Sequence, residues 1–134
     1  MKNFLGYSGD ILEYQVNTIT ISDYIEKYSI PYIDLIKIDV ELHEAEVVEG
    51  LAVYLIEYKP IIILEILDQT VATAIGELIS LQDFNLFHLK MNSKAEKLKD
   101  FNIGKRTNSR GEWNYLLFHK DKENKIKKFT TLYN

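Results

Sequence analysis

Two short runs of branched apolar residues constrain this fold more than any other feature of the sequence. The first lies from Ile33 to Val40, and the second, from Ile61 to Ile66, is continuously apolar. Continuous hydrophobicity is typical of a parallel strand that is buried on both faces. Apolar residues at helical spacing, from about His43 to Tyr58, separate the two runs. Strand, helix and strand in this order predict a parallel pair joined by a right-handed crossover.

The segments that follow extend this order to an α/β domain. A helix is predicted from Thr70 to Leu81, a strand from Phe84 to Leu89, and a last strand from Trp113 to His119. Because no helix of comparable quality separates the last two strands, we expect them to form an antiparallel pair. Residues 90–112 are polar and contain two glycines, which predicts a long loop. Residues 120–134 are predicted to form a peripheral surface tail.

The segment before the first apolar run is less regular. Residues 1–17 predict a loop with a short strand near Leu12 to Val16. Residues 18–21 are β-branched and alternating, which predicts another short strand. Ser22 stands where a helix N-cap is expected, and Pro31 disfavours helix at the residue before it. A short helix is therefore predicted between them.

Composition narrows the class of protein. The chain has 134 residues, 46% of them hydrophobic and 27% charged, which predicts one folded domain over residues 1–134. The absence of cysteine excludes disulfides, thiolate metal sites and thiol nucleophiles. The most apolar run is too short to span a bilayer, and no signal-peptide core follows Met1. We expect a cytoplasmic protein without a membrane partner.

The charges are divided unevenly along the chain. Residues 1–83 have a balance of −11, and residues 84–134 have a balance of +7. A basic segment of this kind can bind an anionic partner, nucleic acid included. Alternatively, acidic and basic surfaces face each other or keep the fold soluble. We favour the second interpretation and expect no nucleic-acid partner.

Acidic residues gather where the two buried strands end. Asp39 and Glu41 follow the first strand, and Glu44 comes three residues after Glu41. Glu65 lies near the end of the second strand. Ligands of open parallel sheets bind beyond the carboxyl ends of the strands, so these side chains are expected to converge. They can accept hydrogen bonds from an ammonium or a hydroxyl group. One of them, with its pKa raised by its neighbours, can act as a general base.

A purely structural explanation of the same acids stays open. The helix macrodipole favours acidic residues at helix starts, which would account for Glu41, Glu44 and Glu46. A metal site at His43 is not predicted, because no second histidine lies nearby and adjacent helical residues do not share a face. Lys37 is expected to pair with one of the carboxylates, since an unpaired cation in a buried strand is costly. Nucleophile-elbow, Walker and dinucleotide-binding glycine motifs are absent from the sequence.

The segment from Ile33 to Glu41 resembles the "IDLIKIDVEG-x-E" motif of FkbM-type methyltransferases. Further matches in register lie at Thr18 to Ile25, at Gly50, and at Pro60 to Ile66, where the family shows "P-x-IIIEI". The resemblance covers the chain from about Thr18 to Leu67.

The resemblance implies a Rossmann-like fold, S-adenosylmethionine as methyl donor, and a hydroxyl acceptor on a sugar or natural product. Carried over by position, Asp39, Glu41 and Glu65 are the implied catalytic residues. Asp39 and Glu44 are the implied cofactor contacts, with Asp39 nearest the methyl-transfer site. No metal is implied.

The chain departs from the family pattern in two ways. Leu42 replaces the glycine that usually follows the Val-Glu pair, so the turn there must accommodate a side chain. The matched motifs also belong to the C-terminal half of such a domain, which leads us to expect a truncated enzyme that is inactive alone. The edge of the Ile33–Val40 strand would then pair with a second copy or a separate N-terminal half. The alternative is a non-catalytic interaction and oligomerisation module derived from the same fold.

Overall fold

A computed structural model of the chain describes residues 13–51, 53–91, 94–103 and 112–130. These residues form a mixed α/β structure around a five-stranded sheet with the strand order β1-β2-β5-β3-β4. The strands are β1 (Leu35–Ile38), β2 (Ile61–Glu65), β3 (Phe84–Leu89), β4 (Ala95–Leu98) and β5 (Asn114–His119). The helices are α1 (Ile21–Tyr28), α2 (Glu44–Glu49), α3 (Tyr54–Glu57), α4 (Gln69–Leu78) and α5 (Glu123–Thr130), the last preceded by a 3-10 turn, Lys120–Lys122.

Strand direction decides which side chains can meet. β1 and β2 are parallel, with Leu35 opposite Ile61. β5 lies antiparallel between β2 and β3, so β1, β2 and β3 all run in one direction. The antiparallel pairing of the last two predicted strands is thereby observed, with Leu86 opposite Leu117. The carboxyl ends of β1 and β2 consequently lie side by side at one edge of the sheet.

The core lies mainly between the sheet and the helices α2 and α4. Ile62, Leu64, Leu86 and Leu117 of the three central strands pack there with Ile75 of α4, all essentially inaccessible to solvent. Full burial of such a side chain contributes about 1.5–3 kcal/mol. The apolar runs that predicted these strands are therefore the residues that hold them in place.

The strand predicted at residues 18–21 is wrong, because this segment starts helix α1. Thr20 is the N-cap, and its Oγ1 accepts a hydrogen bond from the Asp23 backbone N–H at 3.0 Å. A satisfied cap of this kind outweighs weak β-propensity. Residues 13–20 have no regular secondary structure. The rest of the predicted N-terminal loop, residues 1–12, lies outside the described residues.

The single helix predicted from His43 to Tyr58 is divided into α2 and α3. The Gly50 carbonyl accepts hydrogen bonds from Ser22, at 2.9 Å from its backbone N–H and 2.7 Å from its hydroxyl. The Tyr54 N–H then bonds to the Leu51 carbonyl instead of continuing the helix. An added Cβ at Gly50 would lie 3.6 Å from the Thr20 Cβ. Gly50 therefore packs closely against the N-terminus of helix α1.

Two elements of the basic half were not predicted. β4 lies inside the segment predicted as a loop and pairs with β3, its Leu98 opposite Leu86. Helix α5 lies in the predicted tail, and its Ile126 is buried. Residues 92–93, 104–111 and 131–134 of these segments lie outside the described residues. Within the described ranges, no helix has the length and apolar character needed to cross a membrane.

Candidate functional site

Two acidic side chains meet where the parallel strands β1 and β2 end. The last paired residue of β1, Ile38, lies opposite Leu64, so Asp39 lies beside Glu65 at the end of β2. The carboxyl groups of Asp39 and Glu65 lie close enough to shift each other's pKa. We call these two residues the acid pair. Their convergence follows from the register and direction of two strands whose carboxyl ends lie at the same edge.

The two carboxyl groups of the acid pair have pKa values that are shifted in opposite directions. Lys37 Nζ donates to Asp39 Oδ2 at 3.0 Å, and this bond, followed by the interaction with Glu65, lowers the pKa of Asp39. The interaction with Asp39 is also the main cause that raises the pKa of Glu65, and partial burial and the Asp39 charge add to it. Because Lys37 stabilises the Asp39 carboxylate, Glu65 retains its proton to higher pH. Between the two pKa values, Glu65 is therefore protonated beside ionised Asp39.

The turn after β1 has an unusual backbone conformation. Glu41 and Leu42 have positive φ angles of 52° and 76°. Such angles are costly for residues with a Cβ and cost glycine almost nothing. Leu42 therefore occupies a glycine-type position while its side chain stays 41% exposed. Glu41 is exposed beside the acid pair, and its negative charge contributes to the raised pKa of Glu65.

The buried side chain of Glu44 is hydrogen-bonded to the backbone next to this turn. This side chain is completely buried, and its Oε1 accepts a hydrogen bond from the Val40 N–H at 3.2 Å. Its Oε2 is buried without a hydrogen-bond partner among the described residues. Glu44 thus joins the start of α2 to the backbone that follows Asp39. Its predicted role as a cofactor contact stays a prediction.

The remaining predicted residues of this region lie at the surface. His43 Nδ1 lies 3.2 Å from Glu46 Oε1, and both side chains are largely exposed. The pKa of Glu46 is lowered by a backbone hydrogen bond and, second, by the bond with His43. The described parts of the chain bring together no group of three or more metal-ligating side chains. Lys37, expected to pair with a carboxylate, pairs with Asp39.

The predicted last strand, β5, reaches this edge at a place beside β2 that the sequence did not indicate. β5 begins beside the end of β2, with Asn114 opposite Glu65 and the Trp113 carbonyl accepting from the Ile66 N–H at 2.9 Å. Trp113 and Asn114 therefore border the acid pair. The sequence predicts the strand β5 but does not indicate which strand it pairs with. Once β5 is antiparallel to β2, it must begin where β2 ends.

Comparison with protein families shows which family the chain belongs to. The family described as the methyltransferase FkbM domain matches residues 5–89, which is more than half of the chain. The chain belongs to the FkbM methyltransferase domain family. No curated protein and no solved structure matches it.

The family assignment gives the strand-end acids a context. The matched residues of this FkbM domain include β1, β2 and the whole turn between Asp39 and Glu44. The resemblance of the motif around Ile33 to Glu41 is thereby confirmed. The assignment indicates methyl transfer, and methyltransferases of this family generally use S-adenosylmethionine.

Proposed function

We propose that this FkbM domain takes part in methyl transfer from S-adenosylmethionine to a hydroxyl group, with the acid pair as the reacting centre. The observation that carries the proposal is the convergence of the interacting Asp39 and Glu65 carboxyl groups at the carboxyl ends of adjacent parallel strands. Sheet edges of this kind are where open α/β folds bind ligands. Perturbed, interacting carboxyl groups at such an edge are a physical indication of a functional site.

The chemistry of the acid pair fits the proposed cofactor. S-adenosylmethionine carries a sulfonium, an ammonium group and ribose hydroxyls, and it supplies an electrophilic methyl group. The described site offers carboxylate acceptors at Asp39 and Glu41, which match cations and hydroxyl donors. Lys37 is already engaged by Asp39, so its charge is largely neutralised locally. Asp39 and Glu44 are the proposed residues on the cofactor side, Asp39 by contact and Glu44 by holding the turn.

Glu65 is the proposed general base. Above its raised pKa it is ionised beside ionised Asp39, and this like-charge neighbour makes it the stronger base of the two. A hydroxyl of the acceptor then transfers its proton to Glu65 as its oxygen gains the methyl group. Asp39 and Glu41 supply the negative field around this step. The proposed acceptor is a sugar or natural-product hydroxyl, as the family resemblance implies.

The outer edge of β1 bears on how the site is completed. β1 pairs with β2 on one side, and the described residues supply no strand on its other side. Leu35 on this edge is 56% exposed. We propose that a second copy or a separate N-terminal half pairs here, and that the chain has little activity without it. A cytoplasmic location is proposed with it, since the cysteine-free sequence suits a reducing compartment.

Calorimetric titration with S-adenosylhomocysteine, the demethylated product of the donor, tests the proposal. Titrations run from dilute protein to concentrations at which the chain assembles. We expect saturable binding that Asp39→Asn weakens at least about tenfold, which corresponds to about 1.4 kcal/mol. The control is Asp34→Asn, which removes an equal charge from the exposed residue that immediately precedes β1, at the opposite end from Asp39. Equal affinity of both variants would overturn the proposed role of Asp39.

The exposed edge of β1 also favours a second candidate function, a non-catalytic interaction module. In that case the edge binds a partner and the acid pair takes no part. Leu35→Glu should abolish self-association in sedimentation velocity, whereas Ile56→Glu should not. Ile56 is a matched control because it is 55% exposed and lies on helix α3. Association that survives Leu35→Glu would contradict both edge proposals.

A further inference from the structure

A cavity lies at the opposite end of the sheet from the acid pair. Its volume is about 390 Å³. It is placed where β3 begins, β4 ends and β5 passes into its 3-10 turn, whereas Asp39 and Glu65 lie where β1 and β2 end. The lining residues are Leu81, Phe84, Asn85, Lys97, Leu98, Lys99 and Lys120. An inference from this cavity therefore does not depend on the proposed methyl transfer.

Asn85 is the unusual member of this lining. It is 2% exposed, and its Nδ2 has no hydrogen-bond partner among the described residues. A buried amide donor without an acceptor is destabilising, and native folds rarely tolerate one without a reason. A ligand oxygen in the cavity would supply the missing acceptor. The Asn85 backbone is paired with Phe118 of β5.

Three lysines surround the same space. Lys97 and Lys99 come from β4 and the residue after it, and Lys120 opens the 3-10 turn after β5. Lys120 is held in place twice, because its backbone N–H donates to the Asp83 carbonyl at 2.8 Å and its Nζ donates to the Gln82 carbonyl. An ammonium group has three donors, so two remain for a ligand.

The nearby carboxylates do not neutralise this cluster. No acidic side chain belongs to the described lining of the cavity. Asp121 is held by Lys59 and by His119, and Asp100 Oδ1 accepts from the Asn102 N–H at 2.9 Å. The charged residues that line the cavity are therefore all lysines, and they lie in the half of the chain whose charge balance is +7.

We propose that this cavity is a binding site for a phosphate-bearing small molecule. Its volume lies in the range of small-molecule sites, about 300–1,000 Å³. Lysine ammonium groups bind phosphate as point charges, and a phosphate group with nearly two negative charges matches three of them. The Asn85 amide donates to a phosphate oxygen at the buried end, while Lys97, Lys99 and Lys120 neutralise the charge at the rim.

The test is titration of ¹⁵N-labelled protein with inorganic phosphate and with methyl phosphate, at ionic strength matched by sodium chloride. The Asn85 side-chain amide resonance should shift saturably with either probe. Tighter binding of methyl phosphate identifies a phosphate monoester as the natural ligand, and tighter binding of inorganic phosphate identifies the free ion. No saturable shift with either probe overturns the proposal.

Four variants make the site assignment decisive. Lys97→Gln combined with Lys99→Gln should weaken phosphate binding at least about tenfold, and Lys125→Gln, an exposed lysine of α5, should leave it unchanged. Asn85→Leu should remove the binding measured by calorimetry and also raise the unfolding temperature without phosphate, because the unpartnered amide is gone. If this variant binds phosphate like the wild type, or if the lysine variants are indistinguishable, the proposal fails. Asp39→Asn should bind phosphate normally, which separates this site from the methyl-transfer proposal.

Discussion

Asp39 and Glu65, on adjacent parallel strands, have interacting carboxyl groups whose pKa values move in opposite directions. Lys37 decides the direction, because its ammonium group lies 3.0 Å from Asp39 Oδ2 and stabilises that carboxylate. Two acids of similar intrinsic strength thereby acquire different protonation states at one edge of the sheet. The predictions below follow from this pair and from the turn that supports it.

The titration of the acid pair should show this division directly. Carboxyl ¹³C NMR should give an apparent pKa below the usual aspartate range for Asp39 and above the usual glutamate range for Glu65. Lys37→Met should raise the pKa of Asp39 toward its ordinary value, whereas Asp39→Asn should lower the pKa of Glu65. Unchanged titration of Glu65 in Asp39→Asn would show that the two groups do not interact.

The same shifts predict how stability depends on pH. The lowered pKa of Asp39 gives a contribution that is present above the ordinary aspartate pKa and lost as pH falls through the folded value. The raised pKa of Glu65 gives one that is present below the ordinary glutamate pKa and lost as pH rises through its folded value. Urea unfolding at several pH values should therefore show the pair's stabilisation greatest between the two folded pKa values, and Asp39→Asn should flatten this profile.

Glu65→Gln should abolish proton acceptance while preserving the size of the side chain. Methyl transfer to a hydroxyl acceptor should fall about 10²–10⁴-fold, the usual range for loss of a general base. In the wild type, the rate should rise with pH through the raised pKa of Glu65, and this rise should be missing in the variant. Assays with radiolabelled donor and the assembled protein measure both. An unchanged pH profile would assign the base elsewhere.

Leu42→Gly should stabilise the protein. The φ angle of Leu42 is 76°, a left-handed conformation that costs a residue with a Cβ about 1–2 kcal/mol. Part of this gain is offset by the greater freedom of glycine in the unfolded chain, so we expect a net increase of about 0.5–1 kcal/mol in the free energy of unfolding.

Val53→Gly is the matched control for this prediction. Val53 is an exposed apolar residue with a φ angle of −59°, so glycine gains nothing there. Chemical denaturation should show a loss of stability of about 0.5–1 kcal/mol for this variant. Destabilisation of similar size by both glycine substitutions would mean that Leu42 is not strained.

Glu44→Ala should loosen the turn that follows Asp39. It removes the acceptor of the part-buried hydrogen bond from the Val40 N–H, and the loss of such a bond costs about 0.5–1.5 kcal/mol of unfolding free energy. Glu44→Gln keeps an acceptor oxygen and should cost less. Hydrogen exchange of the Val40 amide should accelerate in Glu44→Ala and change little in Glu44→Gln. Equal exchange rates in the two variants would exclude a positioning role for Glu44.

The sequence predicted the elements that are rich in apolar residues and missed those that are not. β1, β2, α4, β3 and β5 were all indicated by apolar runs or helical spacing. β4 contributes one half-buried residue, Leu98, and α5 contributes Ile126 as its buried residue within the described side chains, so neither produces a pattern. The break at Gly50 depends on hydrogen bonds from Ser22, 28 residues earlier, which local propensity cannot indicate.

The candidate site was likewise only partly predicted by the sequence. The strand-end rule brought Asp39 and Glu65 together from the sequence, because it needs only strand direction. The opposite shifts of their pKa values required the register of Ile38 against Leu64 and the position of the Lys37 ammonium. The strain at Leu42 was indicated by the sequence, because leucine replaces the glycine that usually follows the Val-Glu pair of the family motif. The unpartnered amide of Asn85 had no signal in the sequence, because any polar residue in a strand pattern is compatible with an exposed position.

The most direct test of the central claim is a titration of the assembled protein with S-adenosylhomocysteine, followed by carboxyl ¹³C NMR. The account predicts that the Asp39 and Glu65 carboxyl resonances move together and saturate, while the Asp34 resonance at the other end of β1 stays in place. Saturable binding that leaves both acid-pair resonances unmoved, or no binding at any protein concentration, would contradict the claim that these strand ends form the methyl-transfer site.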